Sequence, residues 1–256
     1  MELFFREMGQ GPEVVILHGL FGSSDNWQTF AKDLANLGYR VLSADLRNHG
    51  QSPHDPEFSY SLMAEDVAQL IERHCTGPVY MIGHSMGGKT VMKLASRHPE
   101  RLLGFAVIDI APRYYKPHHQ LILAALRSFD PAALTSRGEA EKILADKIPD
   151  NGTRQFLLKN LYWKEKDKLA WRFNLDAIAS NIEQVGEATP QSVPFNSPVL
   201  FVAGEKSDYI TPDDRKDIAQ QFESVQILTA PGAGHWVHAE QPAWLLSAIT
   251  DHLRSI

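Results

Sequence analysis

The fold is decided by residues 79–87, which read Val-Tyr-Met-Ile-Gly-His-Ser-Met-Gly. An apolar run typical of a strand leads straight into Gly-x-Ser-x-Gly, and the residues after Gly87 favour a helix. A strand that turns this sharply into a helix forms a nucleophile elbow, which holds its central residue in a strained backbone conformation. Gly83 and Gly87 are needed there because a Cβ would strike the neighbouring strand or helix. An incidental serine in a glycine-rich turn is the alternative, but the strand and helix context predicts that Ser85 is a nucleophile.

Short apolar runs alternate with amphipathic stretches on both sides of this turn. The predicted strands are Leu3 to Arg6, Glu13 to Leu17, Tyr39 to Ala44, Val79 to Ile82, Leu103 to Ile108, Val199 to Ala203 and Val225 to Thr229. The predicted helices between them are Asp25 to Leu37, Ser61 to His74, Gly87 to His98, Asp213 to Phe222 and Ala243 to Leu253. This alternation predicts an α/β fold, with a mostly parallel central sheet and helices on both faces.

The alternation stops between Pro112 and Pro198, where no stretch reads convincingly as a strand. Helices are predicted there over residues 118–129, 137–147, 153–162 and 171–185. We therefore expect a helical lid at residues 113–189, inserted after the sixth strand, on a core of residues 1–112 and 190–256. Ordinary packing helices are the alternative. The lid is favoured because the insert leaves from the carboxyl edge of the strands, where ligands of open α/β sheets bind.

A serine hydroxyl needs a base near neutral pH, and the base needs an orienting acid. His235 lies in a glycine-rich loop after the last predicted strand, at the same sheet edge as Ser85, and is the expected base. His238, three residues further on, is a weaker candidate. Asp109 and Asp208 each follow a predicted strand and lie between the serine and the histidine in the chain. Either carboxylate could accept the Nδ1–H of the histidine, so the residues alone leave both open.

The tetrahedral intermediate carries a negative oxygen that needs at least two preorganised N–H donors, each worth about 3 kcal/mol of barrier. The N–H of Met86, directly after the nucleophile, is the first predicted donor. The second is expected from the loop that reads His-Gly-Leu-Phe-Gly over residues 18–22. We assign it to the N–H of Leu20, with that of Phe21 as the fallback.

A further turn follows the third predicted strand and reads Asp-Leu-Arg-Asn-His-Gly over residues 45–50. It could brace the active site near the oxyanion hole. The preferred interpretation is a structural turn in which backbone carbonyls hold Arg47.

Charge and composition exclude several classes of function. The chain of 256 residues has 25 Lys plus Arg against 31 Asp plus Glu, a net charge of −6, which argues against nucleic acid as a partner. No apolar run reaches the length of a membrane span, and Met1–Glu7 is too short and charged for a signal peptide. Cys75 is the only cysteine, consistent with a cytoplasmic location. His118 and His119 would diverge by about 100° on a helix, so no metal site is expected.

Several stretches together resemble the α/β-hydrolase superfamily over nearly the whole chain, and most closely the bacterial YbfF-type esterases. They are His18-Gly19-Leu20-Phe21-Gly22-Ser23, Asp45-Leu46-Arg47-Asn48-His49-Gly50-Gln51-Ser52, Gly83-His84-Ser85-Met86-Gly87-Gly88-Lys89, Asp109-Ile110-Ala111-Pro112 and Gly232-Ala233-Gly234-His235-Trp236-Val237-His238-Ala239-Glu240. The resemblance implies that Asp109 is the acid and that Ser207 lies near the histidine as a helper. Asp208 departs from the group, where an uncharged residue is expected, and it occupies the place of the acid in many other superfamily members.

The residues and the resemblance together predict a serine hydrolase with a Ser-His-Asp triad. Its expected substrate is a small carboxylic ester or thioester, cleaved through an acyl-enzyme with no cofactor. Lys159, Lys164 and Arg172 in the lid could admit a phosphate-bearing thioester such as an acyl-CoA, although a solvated helix face is the plainer explanation. Alternatives within the fold are a C–C bond hydrolase or an aminopeptidase, and outside catalysis a ligand-binding protein on the same scaffold.

Overall fold

A computed structural model describes residues 1–256 and contains one seven-stranded sheet. Its strands are β1 (Phe5–Met8), β2 (Glu13–Leu17), β3 (Arg40–Ala44), β4 (Val79–His84), β5 (Leu102–Ile108), β6 (Val199–Gly204) and β7 (Val225–Ala230). They lie in the order β1-β3-β2-β4-β5-β6-β7, and all neighbours are parallel except β1 and β3. Because parallel strands share a direction, the segments after β2, β4, β5 and β6 emerge at one edge.

Helices cover both faces of the sheet, as the nearly continuous apolar strands predict. They are α1 (Gln28–Asn36), α2 (Tyr60–His74), α3 (Met86–Arg97), α4 (Gln120–Arg127), α5 (Arg137–Ala145), α6 (Asn151–Leu158), α7 (Leu175–Ser180), α8 (Ile182–Val185), α9 (Pro212–Gln221), α10 (Val237–Glu240) and α11 (Pro242–Leu253). Alternate residues of each strand enter opposite cores: Val14 and Ile16 pack with α1 and α11, whereas Val15 and Leu17 pack with α2 and α3. The α/β class predicted from the sequence is confirmed.

The insert, residues 113–189, differs from its prediction in two ways. It follows the fifth strand in chain order rather than a sixth, because only five strands precede it. It is also not wholly helical, since Leu161–Glu165 and Lys168–Trp171 pair as an antiparallel hairpin. The helices predicted over residues 153–162 and 171–185 are therefore too long. Aromatic residues favour strands. Each hairpin strand also buries one leucine, Leu161 or Leu169, in the core that contains residues of α2 and α3.

The two ends of the insert are joined to each other and to the sheet's helical layer. The N–H of Tyr115 donates to the carbonyl of Gly186 at 2.9 Å, and the N–H of Thr189 donates to that of Pro112 at 2.7 Å. The buried ammonium of Lys89, in α3, donates to the carbonyls of Arg113 (2.8 Å) and Glu187. The insert therefore begins and ends at one point, directly behind the elbow. No helix of the protein combines the length and apolar character needed to cross a membrane.

Candidate active site

The turn between β4 and α3 has the strained geometry expected from Gly-x-Ser-x-Gly. Ser85 has φ 52° and ψ −116°, and α3 begins at the next residue. A Cβ on Gly83 would lie 2.4 Å from the carbonyl oxygen of Gly87, and one on Gly87 would lie 2.5 Å from that of Leu17. Both glycines are thus required by the close approach of backbone. Ser85 stands at the carboxyl edge of the sheet with its position set by the strand and the helix.

Asp109 follows β5 at the same edge and is hydrogen bonded to His235. The His235 Nδ1–H donates to Asp109 Oδ2 at 2.8 Å, across 126 residues of chain. Asp109 is fully buried and its other oxygen accepts the N–H of Gly204 at 2.9 Å. Ser207 Oγ donates to the same Oδ2 atom as the histidine, at 2.5 Å. The carboxylate is therefore surrounded by donors, and it fixes the histidine tautomer with the proton on Nδ1.

Asp208 does not take part in this arrangement. Its side chain is exposed and has no hydrogen-bonding or ion-pairing partner. Of the two aspartates that the sequence left open, the structure brings Asp109 and not Asp208 to His235. Ser85 and His235 line one cavity at this edge, although no hydrogen bond joins their side chains. The catalytic assignments themselves stay predictions.

The loop of residues 18–22 crosses close beside the elbow. A Cβ on Gly19 would lie 2.9 Å from His84 Nδ1 and 3.4 Å from the Cβ of Ser85, so only glycine fits there. The N–H of Phe21, the fallback oxyanion donor, instead donates to His49 Nε2 at 3.2 Å. The N–H of Leu20 has no acceptor in the protein, and that of Met86 is the first amide of α3, which no helical carbonyl reaches. These two predicted oxyanion donors therefore have no acceptor within the protein.

The turn at residues 45–50 braces that loop, so the interpretation preferred from the sequence was incomplete. His18 Nε2 accepts the N–H of Leu46 at 3.0 Å, and Asp45 Oδ1 accepts that of Ser24 at 2.6 Å. Arg47 is held mainly by the carboxylate of the buried Asp66 (2.6 and 3.0 Å), with one backbone carbonyl besides. The expectation of backbone carbonyls alone was wrong, because a buried guanidinium is better compensated by an anion.

Burial keeps the rings of His18, in the loop of residues 18–22, and His49, in the turn of residues 45–50, neutral. It lowers the pKa of His18 to about 4 and, with the nearby charge of His18, that of His49 to about 3. Each ring donates from Nδ1 to a backbone carbonyl and accepts a backbone N–H at Nε2. Only the neutral ring can do both, so the loop is held by single tautomers.

Sequence reasoning missed two residues that contact His235. The ring of Tyr209 stacks on its imidazole, with centroids 4.1 Å apart and planes at 21°. Burial raises the pKa of Tyr209 to about 12, so its hydroxyl stays protonated. His84 Nε2–H donates to the His235 carbonyl at 2.8 Å. His84 stood inside the elbow motif and was a visible signal, whereas nothing in the sequence shows what Tyr209 stacks on.

His118 and His119 lie over the site from the insert. Their rings stack with centroids 4.2 Å apart instead of diverging, because both residues precede α4 and do not lie on it. The expectation that both histidines lie on a helix is therefore wrong. No group of three or more His, Cys, Asp or Glu side chains is arranged to hold a metal ion. His118 Nε2 is hydrogen bonded to the Tyr209 hydroxyl at 2.9 Å, which links the insert to the His235 ring.

The cavity that contains Ser85 and His235 encloses about 770 Å³ of empty space, part of which is open to solvent. Its walls combine eight hydrophobic residues with six histidines, and no Lys, Arg, Asp or Glu lines it. Lys159, Lys164 and Arg172, considered as phosphate-binding groups, line neither this cavity nor its smaller neighbour. Arg172 instead lies over the ring of Tyr162, 4.5 Å from its centroid.

Known proteins resemble the chain over most of its length. Residues 12–156 match the family model described as "alpha/beta hydrolase fold". The sn-1-specific diacylglycerol lipase ABHD11 of Mus musculus is 38% identical over 250 residues, 94% of this chain and 81% of that protein. Esterase YbfF of Escherichia coli (strain K12) is 36% identical over 243 residues, 94% of this chain and 92% of that protein. A solved structure described as a marine microorganism esterase has a TM-score of 0.94 and 41% identity, covering 98% and 99% of the two chains.

Proposed function

The chain belongs to the α/β-hydrolase family and is a carboxylic ester hydrolase, and from this premise we propose that it works through an acyl-enzyme on Ser85. Its triad is Ser85, His235 and Asp109, and its oxyanion donors are the N–H groups of Leu20 and Met86. The observation that carries the proposal is the 2.8 Å hydrogen bond from His235 Nδ1 to buried Asp109, at the edge where strained Ser85 stands. That bond leaves Nε2 unprotonated and able to take the serine proton.

The reaction then has two halves. Ser85 Oγ attacks the acyl carbon while His235 Nε2 takes the hydroxyl proton, and Asp109 stabilises the imidazolium that forms. The oxyanion lies against the two amides, and collapse of the intermediate breaks the bond to the alcohol, which takes the proton from Nε2. Water activated by the same nitrogen attacks the acyl-enzyme and releases the acid. Catalytic hydrogen bonds are often long without substrate and shorten in the complex. Attack therefore requires Ser85 Oγ and His235 Nε2 to approach each other when substrate binds.

Three finer assignments belong to the same proposal. Ser207 is a helper, since its hydroxyl donates to the oxygen of Asp109 that also holds His235. Residues 113–189 act as a lid on a core of residues 1–112 and 190–256, supported by the side chains that the insert contributes to the cavity wall. Thioesters are substrates beside esters, because neither step depends on the leaving atom being oxygen.

The single cysteine supports a cytoplasmic location.

Substitution of the nucleophile tests the proposal. Ser85→Ala should abolish hydrolysis of p-nitrophenyl acetate and covalent labelling by a fluorophosphonate probe. Ser61, a half-buried serine of α2 that lines neither cavity, provides the matched control, and Ser61→Ala should keep both. Hydrolysis near the wild-type rate in Ser85→Ala, or labelling that persists in it, would remove Ser85 from the mechanism.

A further inference from the structure

Two separate cavities meet at Ser85. The larger encloses about 770 Å³ of empty space, open solvent included, and also contains His235, Trp236 and His238. The smaller encloses about 390 Å³, measured in the same way, and contains Met86, Ile110 and Val185. Their shared wall consists of Leu20, Ser85, His118, His119 and Tyr209. An ester bound at Ser85 has two arms, and these two cavities are the spaces available for them.

The chemistry of the reaction distinguishes the two arms. The leaving oxygen must receive its proton from His235 Nε2, so the alcohol arm has to lie on the histidine side of the acyl carbon. His235 lines the larger cavity and does not line the smaller one. The acyl arm keeps no contact with the histidine, and the smaller cavity next to Met86 is the space left for it.

We propose that the smaller cavity binds the acyl group and the larger cavity binds the leaving alcohol, so that the enzyme prefers esters of short acyl chains with bulky, apolar, uncharged alcohols. This assignment rests on the proposed acyl-enzyme mechanism and adds the substrate class to it.

The wall of the smaller cavity suits a short hydrocarbon chain. Its three tyrosine hydroxyls are already hydrogen bonded: Tyr60 donates to the carbonyl of Val185 at 2.7 Å, Tyr115 donates to that of Tyr209, and the Tyr209 hydroxyl is bonded to His118 Nε2 at 2.9 Å. The rings are therefore presented to the cavity with their polar atoms satisfied. Met86, Ile110 and Val185 add apolar surface, and Lys116 is the one Lys, Arg, Asp or Glu residue of the lining. The lining residues Tyr60, Met86 and Ile110 are themselves buried, so the cavity ends against the packed core and cannot lengthen without repacking.

The wall of the larger cavity suits an alcohol with rings or branches. Phe21, Trp27, Phe156 and Trp236 line it, and aromatic rings offer large apolar faces for stacking. Burial lowers the pKa of His119 to about 4 and that of His238 to about 4. These two rings therefore carry no charge at neutral pH. A charged alcohol arm would lose its hydration there without gaining an ion pair.

Two substrate series measure the arms separately. In the first, the acyl chain of p-nitrophenyl esters grows from acetyl to butyryl, hexanoyl and octanoyl while the leaving group stays constant. In the second, the acetyl group is constant and the alcohol grows from ethanol to 2-phenylethanol and 2-(1-naphthyl)ethanol, whose leaving oxygens have similar basicity. We expect kcat/KM to fall by about tenfold or more along the first series and to rise or hold along the second. Octanoyl esters cleaved as well as acetyl esters would overturn the assignment.

A matched pair of variants locates the two preferences. Val185 and Ile122 are half-buried aliphatic residues of the insert, and each lines one cavity only. Val185→Ala should move the acyl optimum to longer chains and leave the alcohol series unchanged. Ile122→Ala should relax the alcohol series and leave the acyl series unchanged. The reverse pattern would exchange the two assignments and so contradict the proposal.

The outcomes also separate this inference from the proposed mechanism. If the fluorophosphonate probe does not label Ser85 in the folded wild-type protein, that result would count against the acyl-enzyme itself. Normal labelling, with Ser85→Ala inactive and both variants altering the wrong series, would leave the mechanism standing and remove the cavity assignment alone. The wild-type series decide the question even if one variant fails to fold.

Discussion

Ser85 and Asp109 both have a φ of 52°, which non-glycine residues rarely adopt. Such conformations cost on the order of 1–3 kcal/mol each and persist where the surroundings enforce them. Here the sheet enforces them: the N–H of Ser85 donates to the carbonyl of Ile108 at 3.0 Å, and that of Asp109 donates to Val202 at 2.7 Å. Each residue remains bonded to the next strand while its side chain turns toward the site. The backbone strain at Ser85 and Asp109 therefore accompanies the orientation of their side chains toward the site.

The two aspartates should respond very differently to neutralisation. Asp109→Asn removes the anion beside His235 and favours the wrong tautomer, so kcat should fall by roughly 10³ to 10⁴-fold. Asp208→Asn changes an exposed side chain without partners, and kcat should stay within about twofold of wild type. Steady-state hydrolysis of p-nitrophenyl acetate measures both, with circular dichroism as the check on folding. A larger loss in Asp208→Asn would transfer the role of acid to that residue.

At the scale of residues, the sequence could predict Ser85 and the candidates for its partners but could not choose the acid. Ser85 lies in a local motif whose geometry follows from Gly83 and Gly87. Asp109 and Asp208 both follow strands, and only the backbone turn at Asp109 decides which carboxylate points to His235. That turn depends on hydrogen bonds to a distant strand, which no local pattern encodes.

The elements of the sheet could be predicted more completely than those of the insert. Strands buried on both faces and helices with one apolar stripe have clear patterns, so most of their bounds agree with the structure within a few residues. The hairpin at residues 161–171 has short strands that include Lys164, Glu165 and Lys168, residue types that also suit helices. Its strands pair with each other and pack on the core, and this tertiary packing overrides the local preference.

The contact of Lys89 in α3 with the two ends of the insert can be tested directly. Its ammonium donates to carbonyls at both ends of the insert, at Arg113 and Glu187. Lys89→Met leaves these acceptors without a donor, so the free energy of unfolding should fall by about 2 kcal/mol or more. Lys93→Met, one turn further along α3, removes a charge without a partner and should change it by no more than about 0.5 kcal/mol.

Chemical denaturation measures the two lysine variants, and limited proteolysis reports where the chain loosens. Faster cleavage within residues 113–189 in Lys89→Met would place the loss at the insert. Equal stability of the two variants would show that Lys89 does not hold it.

For the whole molecule, buried histidines make stability depend on pH. Burial depresses the pKa of His18 and His49 to about 4 and about 3, below the value near 6.5 of an unfolded chain. The unfolded state therefore binds more protons than the folded state between these values. The stability contributed by the neutral rings is complete above pH ~6.5 and is lost as the pH falls toward the folded pKa values.

Replacing one of these rings should flatten that dependence. At pH ~5, His49→Gln should lower the slope of the free energy of unfolding against pH by about 1.4 kcal/mol per pH unit, equivalent to one proton. Glutamine keeps an acceptor for the Phe21 N–H, which separates the proton effect from loss of the hydrogen bond. Urea denaturation at a series of pH values provides the slopes. Identical slopes in variant and wild type would mean that His49 is not the group taking up the proton.

The paired ends of residues 113–189 have a consequence for how this architecture can diversify. Since Tyr115 meets Gly186 and Thr189 meets Pro112, the segment leaves the rest of the chain and rejoins it at one point. A cassette of different length could be grafted at that point without moving any strand. The graft would have to supply an apolar underside, because Leu126, Leu144 and Leu157 close the core shared with α2 and α3. Exchange of this one segment can therefore change the specificity, while Ser85, Asp109 and His235, which lie outside it, are retained.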